Sequence, residues 1–595
     1  MNDLTELFLR GNGLSAFVPG QFEGLTELRL LDLSENAIER LPQGLLRGLG
    51  KLQRLILSLN KLPNLPYGAL EGASSLKALH LSSNSIEVLE EGVFENCRNL
   101  TEIFLSKNKL ASLGDHSFRG AVNLAHLDLS KNKFDSVPVT ALKHTSQLTY
   151  LYLQENAIKS VSNDTFSGLS GLQILDLSNN QLETLPEGLF NSLAKLGNLD
   201  LSGNKLRFLP SQIFQDLGGL EVLNLYNNAL VELADGLFNN LTKLRELMLD
   251  RNNISVIQPD LFHPLSALED LQLDNNRISD LDSSTFETLK KLHHLHLSNN
   301  ALTKIRKEIF HKVQHLKELH LDYNRIHSIP ANSFLYLHRL HSLRLNNNRL
   351  SALPGQLFAG LTSLRELWLN ENHIKNLVPC LFTSLPNLKM LDLANNYLTT
   401  LDPEGFRYLI ALKELQLSFN KLDELPHNIF RSQKNLQKLF LQNNHLANLP
   451  ENVFAPLRDL QELDLEKNQL AQLQPIQFKG LDNLKVLYLQ SNKLMFLEEG
   501  TLESLRSLRN LFLQGNPWVC SCTPILYISN WVKKNQKWVR DKPMCSVLNV
   551  SLSEQRLFPK PLSHHCSSSG NSFRAMQYIE MLLAVSGFLL AHNVV

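Results

Sequence analysis

Residues 172–182 read LQILDLSNNQL, and residues 364–374 read LRELWLNENHI. Both fit the pattern L-x-x-L-x-L-x-x-N-x-L. The asparagine of that pattern recurs at Asn12, Asn36, Asn60 and onward every 24 residues to Asn516, giving 22 asparagines in phase without insertion or deletion. A period of this length marks a stacked repeat architecture. The L-x-L step has period two, so both leucines point to one face of a short strand. Stacked turns pair these strands into a parallel sheet at a spacing of about 4.8 Å, and the inward leucines form a core that no single turn could bury alone.

Two further columns follow. Asparagine carries one acceptor and two donors, so it can satisfy backbone groups where the chain leaves the strand. Aspartate lacks the donors. Ten residues after the asparagine, 17 of the 29 phenylalanines fall in phase: Phe22, Phe94, Phe118, then Phe166 through Phe478 at every turn. Leu46, Leu70, Leu142 and Leu502 fill the other places. This column should line the opposite edge of the core. Segments such as LETLPEGLF (182–190) carry Pro and Gly, which predicts loops or short 3₁₀ turns on the convex side.

The pattern resembles the extracellular 24-residue class of the leucine-rich repeat family. That resemblance implies an α/β solenoid, a horseshoe of 22 repeats with its parallel sheet on the concave face. The expected organisation is a solenoid over 1–516, a cysteine-rich cap over 517–566 and a hydrophobic tail over 567–595. Twenty-two strands would give an inner arc of roughly 100 Å.

After Asn516 the repeat stops, and the cysteines follow as C-x-C-x22-C-x20-C. Trp518, Ile525, Leu526, Tyr527, Ile528 and Trp531 would cover the last hydrophobic layer. Four cysteines allow three connectivities. The opening N-P-W-x-C-x-C resembles the C-terminal flanking module of extracellular family members, which implies Cys520–Cys545 and Cys522–Cys566 disulfides. Disulfides belong to oxidising compartments, and five N-x-S/T sequons, at Asn99, Asn163, Asn240, Asn253 and Asn549, agree with an extracellular location. The N-terminus enters a repeat at once, without a signal peptide or N-terminal cap, so the expectation is that a leader and cap are missing. Cys97 reads as a small buried apolar residue. Cys380 reads as a convex-side residue, either a free thiol or an intermolecular link.

In the tail, Ser567 to Asn571 precede a spacer and an apolar run from Met581 to Ala591. This order matches a glycolipid-anchor signal, with Ser568, Ser569, Gly570 and Asn571 as attachment candidates. A single membrane span and a secreted form are the alternatives. The run is short for a span, which needs about 20 residues.

No phosphate-binding Gly loop, H-E-x-x-H or G-x-S-x-G occurs, so an enzyme is not expected and no cofactor is assigned. The 58 basic residues balance the 58 acidic ones. That removes the long-range field favouring nucleic acid, and no nucleic-acid partner is expected. Function is expected instead at the outward strand positions, two, four and six residues before each asparagine. The richest stretch contains Asp250, Asp270, Asp274, His294, His296, Glu318, His320, Asp322, Tyr323, Arg344 and Trp368. Nine of the 20 histidines lie between 293 and 341, which raises pH-dependent binding and, secondarily, a metal cluster. Most of these histidines face different sides of the solenoid, so no metal ligand is assigned. The uninterrupted array resembles the group containing the carboxypeptidase N regulatory subunit and platelet glycoprotein V, and more weakly Toll-like receptor ectodomains and variable lymphocyte receptors. The implied role is a cell-surface adhesion or scaffold protein that binds an extracellular protein ligand, with a homodimer among its possible assemblies. An immune co-receptor or decoy and a secreted carrier subunit of a serum enzyme are the alternatives.

Overall fold

A computed structural model describes residues 3–520, 523–546 and 550–554. The chain divides into two compact units, the first ending at Leu367 and the second beginning at Trp368. Each is a parallel-strand solenoid. Among the described residues, three-residue strands recur every 24 residues, from Glu6–Phe8 to Ser342–Arg344 in the first unit and from Met390–Asp392 to Asn510–Phe512 in the second. Strand Glu366–Trp368 spans the boundary.

Within each unit, neighbouring strands pair in parallel at a register of one repeat. Leu7 lies opposite Leu31 and Leu319 opposite Leu343, and Leu391 opposite Leu415 and Leu487 opposite Leu511. From Leu31 onward the central residue of every strand is buried, while its neighbours are mostly half-buried or exposed. This is the alternation expected of a sheet with one face on the core. At the first turn, Leu4 and Phe8 are exposed.

The asparagine column behaves as its donor and acceptor inventory requires. Asn180 is typical. Its Oδ1 accepts the backbone N–H of Ile158 at 3.0 Å. Its Nδ2 donates to the carbonyls of Leu153 and Leu177, each at 3.0 Å. The side chain therefore ties two turns together. The phenylalanine column forms a stacked spine: Phe166, Phe190, Phe214, Phe238, Phe262 and Phe286 follow one another at centroid distances of 6.3 to 6.5 Å. Such pairs add about 0.5–1.5 kcal/mol each to simple burial.

Opposite the strands the chain runs through successive tight turns, as in Leu189 N–H to Pro186 O, Leu193 N–H to Phe190 O and Leu196 N–H to Leu193 O. Regular helix within the described repeats is confined to Val139–Leu142 and Pro475–Gln477. Cys97 is buried in this layer, and burial pushes its thiol up to about 11. Cys380 is exposed.

One column had no counterpart in the sequence reading. The residue immediately before each phased asparagine is left-handed, with φ between 50° and 76°, from Gly11 to Gly515. Three of these positions hold Gly, but Leu59, Tyr323 and Phe419 occupy others. At most of these positions the conformation turns the N–H toward the next repeat, as in Asn179 N–H to Ser202 O at 2.7 Å.

Beyond the last strand, Asn510–Phe512, the chain packs further residues against the end of the sheet. Trp518 is fully buried and its Nε1 donates to Leu513 O at 3.1 Å. Helix Ile525–Lys534 buries Ile525, Ile528 and Val532. Leu526, Tyr527 and Trp531 are half-buried rather than central, although Tyr527 Oη accepts the N–H of Leu502 at 2.9 Å. Asp541 accepts the N–H groups of Leu513 and Gln514 at 2.7 and 2.6 Å, and Val539 bridges to Leu511. The last strand edge is thus occupied rather than left open. Cys520 and Cys545 form a disulfide, the pairing the resemblance implied. Cys522, Cys566, Asn549 and the anchor candidates Ser568, Ser569, Gly570 and Asn571 lie outside the described residues. No helix among the described residues is long and apolar enough to cross a membrane.

Candidate functional site

The outward rows of the first unit form ladders because the register is one repeat throughout. Asp270, His294, Glu318 and Ser342 are successive cross-strand partners. Gln272, His296, His320 and Arg344 form the parallel row four residues before each asparagine. Cross-strand neighbours lie close enough for their side chains to interact.

The imidazoles of His296 and His320 stack, with centroids 4.2 Å apart and planes inclined by 7°. Glu318 reaches both: its Oε2 lies 3.9 Å from His296 Nε2 and 3.8 Å from His320 Nε2. On the other side His296 Nδ1 lies 3.6 Å from Asp274 Oδ2, and His294 Nδ1 lies 3.3 Å from Asp270 Oδ2. Burial holds His296 below the usual imidazole range. His320 is driven down to about 3 by burial, with His296 and Arg344 acting in the same direction. A group this depressed does not change charge between pH 5 and 7.5, so His320 cannot supply the pH switch expected from the histidine count.

Two carboxylates, Asp250 and Asp274, take that range instead. Asp250, Asp274 and Asp322 stand two residues before their asparagines, at the mouth of the turn. Burial raises Asp250 and Asp274 to about 6, against the lowering effect of backbone hydrogen bonds. Asp274 accepts the N–H of Ser298, whose Oγ donates to Asp322 at 2.6 Å. Ser298 therefore bridges two acidic side chains.

The structure brings together Asp274, His296, Glu318 and His320, places the Asp270–His294 pair beside them and sets Arg344 at the next rung. Tyr323 stands apart: it is the exposed left-handed residue of its turn. Trp368 is half-buried and belongs to the second unit.

A second cluster was missed. His80 and Phe104 stack at 4.6 Å, Phe104 meets His126 at 4.7 Å, and His126 meets Tyr150 and Tyr152 at 5.6 and 5.3 Å. These residues occupy the same two outward columns. They stand four and six residues before their asparagines, among the outward positions, but outside the stretch singled out from the sequence. In the second unit Tyr488 and Phe512 stack at 4.6 Å.

Of the four described sequon asparagines, Asn99, Asn163 and Asn240 are exposed and Asn253 is half-buried.

The stacked parallel strands, the asparagine ladder and the phenylalanine spine define a tandem-repeat solenoid with a side-chain-bearing strand face. The leucine rich repeat family matches this chain at residues 2–62, 74–134, 122–182, 146–206, 170–230, 218–278, 266–325, 314–374, 363–422, 410–470 and 459–517. The chain belongs to that family. No curated protein sequence matches it. Among solved structures, TLR13 in its complex with ssRNA13 is 26% identical, covers 90% of this chain and 91% of its own, and superposes with a TM-score of 0.53. A leucine-rich repeat protein of Leptospira interrogans is 28% identical over 70% of this chain and 96% of its own, at a TM-score of 0.55. The Toll–Spatzle complex of Drosophila, at 24% identity, shares the fold over 91% of this chain and 81% of its own, at a TM-score of 0.60.

Proposed function

We propose that this protein is an extracellular, non-enzymatic binding protein that recognises a protein ligand through its strand face. The observation that carries this reading is the in-register array of half-exposed aromatic, histidine and charged side chains on a rigid backbone. Side chains held this way lose little conformational freedom on binding, and aromatic and Arg residues are frequent interface anchors. The Cys520–Cys545 disulfide supports the extracellular part of this reading. In this proposal residues 517–566 act as a cap closed by a second Cys522–Cys566 bridge. The exposed sequons carry glycans, and the tail from 567 holds the protein on the outer leaflet through a glycolipid.

Proximity labelling at a cell surface with the full chain, followed by direct binding of the dominant partner, tests the reading. Replacing Tyr323 and Arg344 by Ala should remove that partner, with a loss of about 2 kcal/mol or more if one is an anchor. Undiminished binding refutes the patch between Asp250 and Arg344, and the His80–Tyr152 ladder then becomes the site to replace. Release by a phosphatidylinositol-specific phospholipase supports the glycolipid anchor, whereas detergent extraction without release opposes it.

The alternative is an immune pattern-recognition co-receptor or decoy, favoured by the similarity to TLR13 over 90% of this chain. The solved relative carries single-stranded RNA, so net neutrality alone is a weak ground for excluding such a ligand here. Binding of single-stranded RNA that weakens steeply with salt would support it. A third arrangement, a secreted carrier subunit, predicts no membrane retention at all.

A further inference from the structure

We propose that His296, Glu318 and His320 form a binding site for a single divalent transition-metal ion of the zinc class on the strand face of the first unit. One donor atom from each residue lies within 4.8 Å of the other two. Tetrahedral zinc with nitrogen and oxygen ligands at about 2.0–2.1 Å holds its donors about 3.3 Å apart. The two Nε2–Oε2 separations of 3.9 and 3.8 Å therefore need to contract by only about half an ångström. The stacked rings must also tilt about their side-chain torsions so that both lone pairs converge.

Two considerations favour a cation at this trio. His296 Nε2 and His320 Nε2 are both buried and make no hydrogen bond. Buried polar atoms in native proteins are almost always partnered, and an orphan calls for an explanation. A cation held between them and Glu318 supplies a partner to both at once. The ligand chemistry is also right. Imidazole nitrogen and carboxylate oxygen together suit zinc, copper or nickel, whereas calcium and magnesium prefer all-oxygen sets. Burial disfavours the charged form of both rings, which leaves a ring lone pair available for a metal. Asp274 faces His296 Nδ1 at 3.6 Å, on the side where an outer carboxylate orients a metal-bound imidazole.

Charge decides whether a cation is tolerated. Arg344, the cross-strand partner of His320, opposes it. Glu318, Asp270 and Asp274 favour it, and they outnumber the guanidinium. Three protein donors leave one tetrahedral position for water or for a donor from a bound molecule. The site is independent of which ligand the strand face recognises.

The test uses the full chain stripped with a chelator and titrated with Zn²⁺ by calorimetry and with Co²⁺ by visible absorption. One equivalent with the intense bands of tetrahedral Co²⁺ is expected. His296→Ala and His320→Ala should each weaken binding at least tenfold, while His311→Ala should leave it unchanged. Because a ring removed from the stack could disturb the fold, His320→Gln is compared at matched thermal unfolding; it should lose the Co²⁺ bands while retaining the unfolding temperature. Absence of tetrahedral bands, or an unchanged titration in the His296→Ala/His320→Ala double variant, overturns the assignment.

Discussion

Asn204 Oδ1 accepts the backbone N–H of Leu182, 22 residues earlier, at 3.0 Å. The same side chain donates from Nδ2 to the carbonyls of Leu177 and Leu201, both at 3.0 Å, and to that of Ser202 at 3.3 Å. One buried amide thus satisfies backbone groups from adjoining turns. Neither an aliphatic residue nor a carboxylate can do this, because both acceptor and donors are used.

Asn204→Asp should therefore destabilise sharply although the shape is kept. It removes the donors and forces a carboxylate against carbonyl oxygens. The expected loss is about 3 kcal/mol at neutral pH, read from denaturant unfolding. The deficit should shrink as pH falls from neutrality towards about 4, because the fold raises the pKa of the new carboxyl and its protonated form regains one donor. A loss under about 0.5 kcal/mol would show that the ladder is not a principal support.

The phenylalanine spine gives a graded expectation. Phe238 is fully buried and stacks on Phe214 and Phe262 at 6.4 and 6.3 Å. Phe238→Ala should cost about 3–5 kcal/mol. Phe238→Leu should cost much less, since Leu46, Leu70, Leu142 and Leu502 fill the same column elsewhere. Equal losses in the two variants would mean that ring stacking, rather than volume, sets the spine.

Leu59 is half exposed and left-handed, with φ 58°. A non-glycine residue in this region costs about 1–2 kcal/mol, while glycine returns about 0.5–1 kcal/mol through greater unfolded-state entropy. Leu59→Gly should therefore stabilise by about 0.5–1 kcal/mol, measured as a rise in denaturation midpoint. A lower midpoint would indicate that the Leu59 side chain makes contacts worth more than the strain.

Asp464 is raised to about 6, chiefly by burial and further by Glu466 and Glu462, against the backbone N–H of Glu466, which lowers it. A carboxyl whose folded pKa exceeds its unfolded value binds more protons when folded. Its contribution favours the fold at low pH and is lost as pH rises from about 4 through about 6. Asp464→Asn retains an acceptor for Glu466 N–H, bonded at 2.9 Å. The variant should gain about 1–2 kcal/mol over the parent at pH 7.5 and little at pH 4. Parallel stability profiles of the two proteins would reject this.

The repeat period and the asparagine and phenylalanine columns were legible because each depends only on which residues share a place in successive turns. An unbroken spacing of 24 residues settles that before any coordinates exist. The Cys520–Cys545 pairing, by contrast, was implied only by the family resemblance of the segment after Asn516. Three things required the folded chain. The left-handed column is occupied by residues as unlike as Gly203, Leu59 and Phe419, so composition conceals it. The raised carboxyls of Asp250, Asp274 and Asp464 reflect how deeply each side chain sinks beside its neighbours. The meeting of His296, Glu318 and His320 depends on rotamers and on distances between two adjacent strands. Periodicity assigns a side chain to a column, but burial and the lateral approach of neighbours are properties of packed turns, and those decide which side chains touch.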